Sequence, residues 1–340
     1  MDTKPANQVQ QVCVAGGGSW GTALAHLAAS RGHAVTLYLR DRAVCDDINT
    51  IHENRHYLAG LPLHPAVRAT TDPRDPDALA SPLLVLAVPC QHQRAFLEQY
   101  GDLLSPSCIL VNASKGIELT TGLTCSQFTA ELLPHREQIY AVLSGPSFAR
   151  EVMMAQPTAV VVASTSTDAA ARIQSLFSSP TFRCYTSDDV LGVEVGGAVK
   201  NVIAIAAGLC DGLGIGTNGR AALLTRGIAE ICRLGVAMGA SEHTFLGLSG
   251  LGDLVLTATG SLSRNRTLGL ALGQGKSLDE ASAQIGMVTE GVKTAMAVRT
   301  HAARLGVQVP ITDAVCAILD GNLSAADAAR QLMSRSLIQE

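Results

Sequence analysis

The run Val12-Cys13-Val14-Ala15 passes straight into Gly16-Gly17-Gly18-Ser19-Trp20-Gly21, and a helical pattern follows through Thr22 to Ala28, ending before Gly32. In a strand–G-x-G-x-x-G–helix arrangement, the first glycine permits a tight turn. The second lets backbone approach a pyrophosphate, and the third lets helix and strand pack closely. Free N–H groups at the start of the helix then face the phosphates. The pattern predicts a dinucleotide site built on Gly16, Gly18 and Gly21. The same letters also spell Gly17-x-Ser19-x-Gly21, the string of a hydrolase nucleophile elbow. An elbow belongs deep in a sheet with acid and histidine partners downstream, whereas Ser19 follows the very first strand.

From Val12 to Thr186 short apolar runs alternate with helical stretches: Val12 to Ala15, Val35 to Leu39, Leu83 to Val88, Cys108 to Val111, Ile139 to Leu143, Thr158 to Ala163 and Phe182 to Tyr185. They lack clean alternation, as strands covered on both faces do, and their spacers are long enough for crossover helices. A doubly wound, Rossmann-type, mostly parallel sheet is expected over residues 1–187. After Asp188 apolar residues recur at helical spacing through Val190 to Leu209, Ala221 to Met238, Thr267 to Leu272, Glu290 to Leu305 and Ile311 to Leu319. Gly239, Gly273, Gly306 and Gly321 read as their stops. Residues 188–340 are therefore expected to form an all-helical domain for the substrate.

At the end of the second strand Arg40-Asp41-Arg42 stands where a ribose-binding acid is expected, about 20 residues past the loop. An acid there favours NAD, while an arginine takes the 2′-phosphate of NADP. Arg40 tilts the expectation to NADP, with NAD use open and a solvated charged turn as the alternative.

The 340 residues are 47% hydrophobic, too apolar for a disordered chain, and only 16% are charged, for a net charge of −4. With no Lys/Arg-rich run to follow a nucleic acid or an anionic membrane, small-molecule chemistry is expected. The nine cysteines are scattered without C-x-x-C pairs and read as small core residues in a reducing compartment. The polar start Met1 to Gln8 does not look like a signal peptide. A soluble cytoplasmic protein, with no metal and no membrane insertion, is the expectation.

One ammonium group stands out in the apolar stretch Val193 to Ala207. Lys200 has Gly196, Gly197, Ile203 and Ala204 as its helical neighbours at three and four positions. Small neighbours leave room, which is read as space for a ligand. Desolvation lowers a lysine's pKa and lets it exchange a proton near neutrality, as carbonyl reduction requires. A structural lysine paired with Glu194 or another carboxylate fits the spacing equally. Polar groups in glycine-rich loops suit an anionic substrate: Lys115 after the strand ending at Val111, Ser144-Gly145-Pro146-Ser147-Phe148 after the next strand, and Ser249-Gly250-Leu251-Gly252-Asp253 followed by Ser263-Arg264-Asn265-Arg266. Each is also compatible with ordinary loop chemistry.

Together the strings GGGSWGTALA from Gly16, SKGIE from Ser114, LSGPSFAREV from Leu143, GGAVKNVIAIAAG from Gly196, GLSGLGDLVLT from Gly247, SRNR from Ser263 and TEGVKTA from Thr289 resemble the bacterial NAD(P)-dependent glycerol-3-phosphate dehydrogenases. The resemblance covers nearly the whole chain. It implies reversible hydride transfer between NAD(P)H and C2 of dihydroxyacetone phosphate, yielding sn-glycerol 3-phosphate for phospholipids, with Lys200 as the catalytic proton donor and acceptor. Substrate contacts carried over by resemblance fall on Lys115, Gly145, Ser147, Lys200, Asp253, Ser263, Arg264 and Asn265. Cofactor contacts fall on Ser19, Trp20, Arg40, Lys115, Ala149, Arg264, Val288 and Glu290, and a homodimer is implied. Gly17 departs from the alanine usual in the family, and a polar extension precedes the first strand. A related two-domain hydroxy-acid dehydrogenase and a non-catalytic NADPH-binding sensor are the other readings of the same glycine loop.

Overall fold

The structure, a computed structural model, describes residues 9–134, 139–286 and 289–335. The chain forms two compact units, one of Met1–Ser114 with Cys125–Val190, the other of Lys115–Thr124 with Leu191–Glu340.

The first unit is an eight-stranded sheet of β1 (Gln11–Ala15), β2 (Ala34–Tyr38), β3 (Val67–Thr70), β4 (Leu83–Leu86), β5 (Ile109–Asn112), β6 (Tyr140–Ser144), β7 (Thr158–Ala163) and β8 (Phe182–Ser187) in the order β3-β2-β1-β4-β5-β6-β7-β8. Every pairing is parallel except β6 with β7. β4, β5 and β6 are buried along their whole length, which is why they read as unbroken apolar runs. The sequence pattern missed β3, a four-residue outer strand. Its Arg68 points outward to Asp75 and breaks the apolar run. Strand order reverses at β1, whose neighbours are β2 and β4, so the crevice for ligands in such a sheet lies at the carboxyl ends of β1 and β4.

In the second unit the helix Val190–Gly212 is the spine. It is long and apolar enough to cross a membrane, yet its residues from Gly192 to Leu209 are buried inside the protein, as in a core helix. Around it lie Gly216–Ala237, Asp253–Thr259, Arg264–Gly273, Leu278–Ile285, Glu290–Leu305, Pro310–Leu319 and Ala325–Met333. The helix Arg264–Gly273 packs on the spine almost backbone to backbone. A Cβ on Gly208 or Gly269 would fall on the carbonyl oxygen of Arg266 or Ile205, and one on Gly273 would lie 2.6 Å from the Leu209 oxygen. Gly273 is the last residue of its helix, as expected, but it is a packing glycine without a positive φ; Gly275, at φ +90°, turns the chain. Gly239, Gly306 and Gly321 do have positive φ.

A buried carboxylate also holds this unit together. Glu230 accepts from the N–H groups of Ile311 and Thr312 and from the Thr312 hydroxyl, supplying from another helix the cap that Pro310–Leu319 lacks locally. The segment Lys115–Thr124 joins the same unit as a small hairpin closed by the Ile117–Thr124 bridge, with Ile117 fully buried in the helical core. Seven cysteines are buried, Cys210 and Cys232 are partly exposed, and all are free thiols.

Candidate active site

The glycine loop in the first unit has the geometry that its three glycines foretell. Gly16 sits at φ +124°, and a Cβ there would lie 2.6 Å from the Ala87 carbonyl oxygen at the end of the neighbouring strand. At Gly18 a Cβ would meet nothing within 4 Å, so the backbone is open on that side. At Gly21 it would fall on the Gly16 carbonyl. The helix Ser19–Ser30 starts immediately after Gly18 without a side-chain cap, which leaves its first N–H groups for an anion. Gly17 faces the Leu39 side chain, 2.8 Å from where a Cβ would be, so the missing methyl has a steric reason here.

Ser19 donates its hydroxyl hydrogen bond to the Tyr57 carbonyl, and Trp20 packs partly buried on the sheet core. Arg40 is exposed just past β2. Its neighbour Asp41 is spent on capping, because one carboxylate oxygen accepts from the N–H groups of Ala43 and Val44 at 2.9 and 3.3 Å. Farther along the same unit, Gly145 at φ +142° leaves β6, Ser147 donates to the Gly145 carbonyl at 3.0 Å, and Ala149 opens the short helix Ala149–Met153.

The second unit gathers the charged candidates. Gly196 leaves space beside the lysine helix, but what enters is protein: a Cβ there would lie 2.8 Å from the Ser249 carbonyl oxygen. The room read from the sequence as a ligand space at this position is filled by the π-helical turn Leu248–Gly252. That close approach delivers Asp253, the first residue of the next helix, to Lys200. The Lys200 ammonium donates to Asp253 Oδ1 and to Thr257 Oγ1, each at 2.6 Å, while Thr257 donates to the same carboxylate oxygen at 3.2 Å. Lys115 donates to the other oxygen, Oδ2, at 2.5 Å. Asp253 is thus a carboxylate that pairs with Lys200.

Two ammonium groups share one carboxylate where Lys200 is 5% exposed and Asp253 1%. Burial pushes the Lys200 ammonium down to about 8, a fall that Asp253 opposes and Lys115 reinforces. Burial alone would raise the Asp253 carboxyl, but the two lysines outweigh it and hold it below the usual range. Glu290, at the start of Glu290–Leu305, is shifted upward by burial against the pull of Arg264, Lys115 and Lys200.

The Ser263 hydroxyl accepts from the Arg266 N–H and so starts the helix Arg264–Gly273, with Arg264 and Asn265 at its first two positions. Arg266 is committed to Asp211, while Arg264 lies near enough to Glu290 to act on its carboxyl. Asn265 donates to the Asn201 side chain at 3.0 Å and accepts from the Gly291 N–H at 3.1 Å. That cross-link ties it to the residue after Lys200. Val288 lies outside the described residues. The sequence reading missed Thr257 and Asn201. Thr257 stands one helical turn after Asp253, a spacing that could have found it. Among the described residues no group of three or more His, Cys, Asp or Glu could hold a metal ion.

The chain as a whole has its counterpart in known proteins. Residues 11–170 match the N-terminal part, and residues 189–330 the C-terminal part, of NAD-dependent glycerol-3-phosphate dehydrogenase. The chain belongs to this family. A glycerol-3-phosphate dehydrogenase [NAD(P)+] of Desulfovibrio desulfuricans is 55% identical over 97% of this chain and 98% of its own length. One from Oleidesulfovibrio alaskensis is 54% identical over 97% and 100%. The crystal structure of glycerol-3-phosphate dehydrogenase from Coxiella burnetii superposes with a TM-score of 0.91 at 35% identity, covering 96% of this chain and 99% of that one. Family members of this kind use NAD(P), and the open backbone at Gly18 with the uncapped helix behind it fits the pyrophosphate of such a dinucleotide.

Proposed function

We propose that this protein is an NAD(P)-dependent glycerol-3-phosphate dehydrogenase that interconverts dihydroxyacetone phosphate and sn-glycerol 3-phosphate, with Lys200 as the proton donor and acceptor. The observation that carries the assignment of the residues is the buried ammonium of Lys200, depressed to about 8 and held by Asp253 and Thr257.

When bound, the reduced dinucleotide supplies a hydride to C2 of the ketone. Gly16, Gly18, Gly21 and the N–H groups of Ser19 and Trp20 would hold its pyrophosphate, with Ala149 of the same unit as a further contact carried over from the family. Arg264 and the N–H groups at the start of its helix bind the substrate phosphate, and Asn265 positions the rest of the molecule. Lys200 donates its proton to the C2 oxygen as negative charge develops there, which contributes roughly a hundred- to ten-thousandfold. Asp253 and Thr257 aim the ammonium, and Lys115 adds a second positive charge that favours the alkoxide.

Arg40, exposed beside a capping Asp41, supports NADP as the preferred coenzyme. Cytoplasmic glycerol 3-phosphate supply for phospholipids is the corresponding biological role. A homodimer is part of the same reading and is supported by the exposed Leu246, Leu251 and Leu262 of the helical unit.

The deciding assay follows NADPH absorbance on addition of dihydroxyacetone phosphate, with hydroxy-acid precursors as controls. Oxidation is expected with the phosphorylated ketone alone. Lys200→Met should keep NADPH affinity and lose roughly a thousandfold in kcat; near-normal turnover would remove Lys200 from the chemistry. Arg40→Ala should lower the NADPH-to-NADH ratio of kcat/KM, and an unchanged ratio would take Arg40 out of coenzyme choice.

A further inference from the structure

Asn54 is fully buried, and the glycine motif does not include it. Its Nδ2 donates to the Gly17 carbonyl at 2.9 Å and to the Thr22 hydroxyl oxygen at 2.8 Å, while its Oδ1 accepts from the Tyr57 N–H at 3.2 Å. The Thr22 hydroxyl in turn reaches the Gly17 carbonyl at 3.4 Å. One amide side chain therefore joins the middle of the glycine loop, the first turn of the helix behind it, and the start of Arg55–Leu58, whose N-cap it is. A second tie runs the same way, from the Ser19 hydroxyl to the Tyr57 carbonyl at 3.2 Å.

The Gly17 carbonyl and the Gly18 N–H belong to one trans peptide plane and point in opposite directions. Three consecutive glycines offer no Cβ to resist rotation of that plane, so something outside the loop must hold it. We propose that Asn54 sets this plane, drawing the Gly17 carbonyl inward so that the Gly18 N–H is presented outward to the pyrophosphate. Asn54 is a positioning residue for the dinucleotide, which rests on the reading that this loop holds it. A loop with the plane free would have to order it on each binding event, a cost that falls on dinucleotide affinity and not on the chemical step.

Three variants and one native fluorophore test this. Asn54→Asp keeps an oxygen for the Tyr57 N–H but has no donor for Gly17; Asn54→Leu removes every polar contact; Thr22→Val removes the hydroxyl at nearly constant volume. NADPH affinity, read by nicotinamide fluorescence, is expected to weaken about tenfold in the Asn54 variants, about 1.4 kcal/mol, and about threefold in Thr22→Val. The kcat at saturating NADPH and the KM for the ketone should stay within about twofold, a split that general damage to the fold would not produce. An NADPH affinity in Asn54→Asp equal to that of the unaltered protein, or a matching fall in kcat, overturns the proposal. If the Asn54 variants do not fold, unchanged affinity in Thr22→Val does so. Trp20, the only tryptophan, separates the two levels of the argument. If NADPH binds the unaltered protein without changing Trp20 emission, the loop is not the dinucleotide site and the proposal falls with it. Quenched emission together with unaffected variants sinks the role of Asn54 alone.

Discussion

Burial sets the charge state of Lys200, the proposed proton donor and acceptor. An ammonium depressed to about 8 is protonated below that pH and neutral above it. Ketone reduction needs the protonated form, so its kcat is expected to be level below about pH 8 and to fall tenfold per unit above it; alcohol oxidation needs the neutral amine and should rise up to about 8 and then level off. Pre-steady-state pH profiles in both directions check this, and limbs that slope the same way would exclude a single shared group. Asp253→Asn removes the charge that holds the Lys200 pKa up, so the inflection in each profile should move to lower pH. That the lysine was special could be read from its isolation among apolar neighbours. The resemblance placed Asp253 with Lys200 among the substrate contacts; spacing alone could not choose it, since Glu194 lies six positions away in sequence and Asp253 lies 53 positions away.

Elements meet at this site through glycines. In an ordinary helix interior, replacing glycine with alanine stabilises by about 1 kcal/mol. At Gly269 the sign should reverse, because the added methyl would fall on the Ile205 carbonyl of the crossing helix. Gly269→Ala is expected to destabilise by about 3 kcal/mol in urea unfolding; a neutral or stabilising result would mean that the two helices do not cross this closely. Every strand but β3 came through in the sequence, the outer β8 among them, and the central ones did so because both faces demand apolar side chains. β3 did not, since it has only four residues and one of them, Arg68, is spent on an ion pair. The helices Leu278–Ile285 and Ala325–Met333 were missed for a similar reason. Each buries little, Ala281 in the first and Ala328 in the second, so few large apolar side chains mark it in the sequence.

At the scale of the whole molecule, the two compact units do not follow the order of the chain. Lys115–Thr124 comes from the midst of the sheet-forming half, yet Ile117 is buried in the helical core. Ile117→Ala should cost about 3 kcal/mol, the usual range for an aliphatic side chain removed from a core. Hydrogen exchange locates that cost: amides of Val190–Gly212 should lose protection while those of β1 and β4 keep theirs, and the opposite pattern would refute the assignment of Ile117 to the second core. The sequence alone determined the alternation of strands and helices, the change to helices after Asp188, the dinucleotide loop and the isolation of Lys200. Those are local facts, written in the period of apolar residues and in the backbone freedom of glycine. Tertiary structure decided which carboxylate meets Lys200, that the space at Gly196 admits a neighbouring backbone, and that Asn54 grips the Gly17 carbonyl. Each of these depends on two segments distant in the chain approaching to within hydrogen-bonding or van der Waals distance, and no local periodicity records that approach.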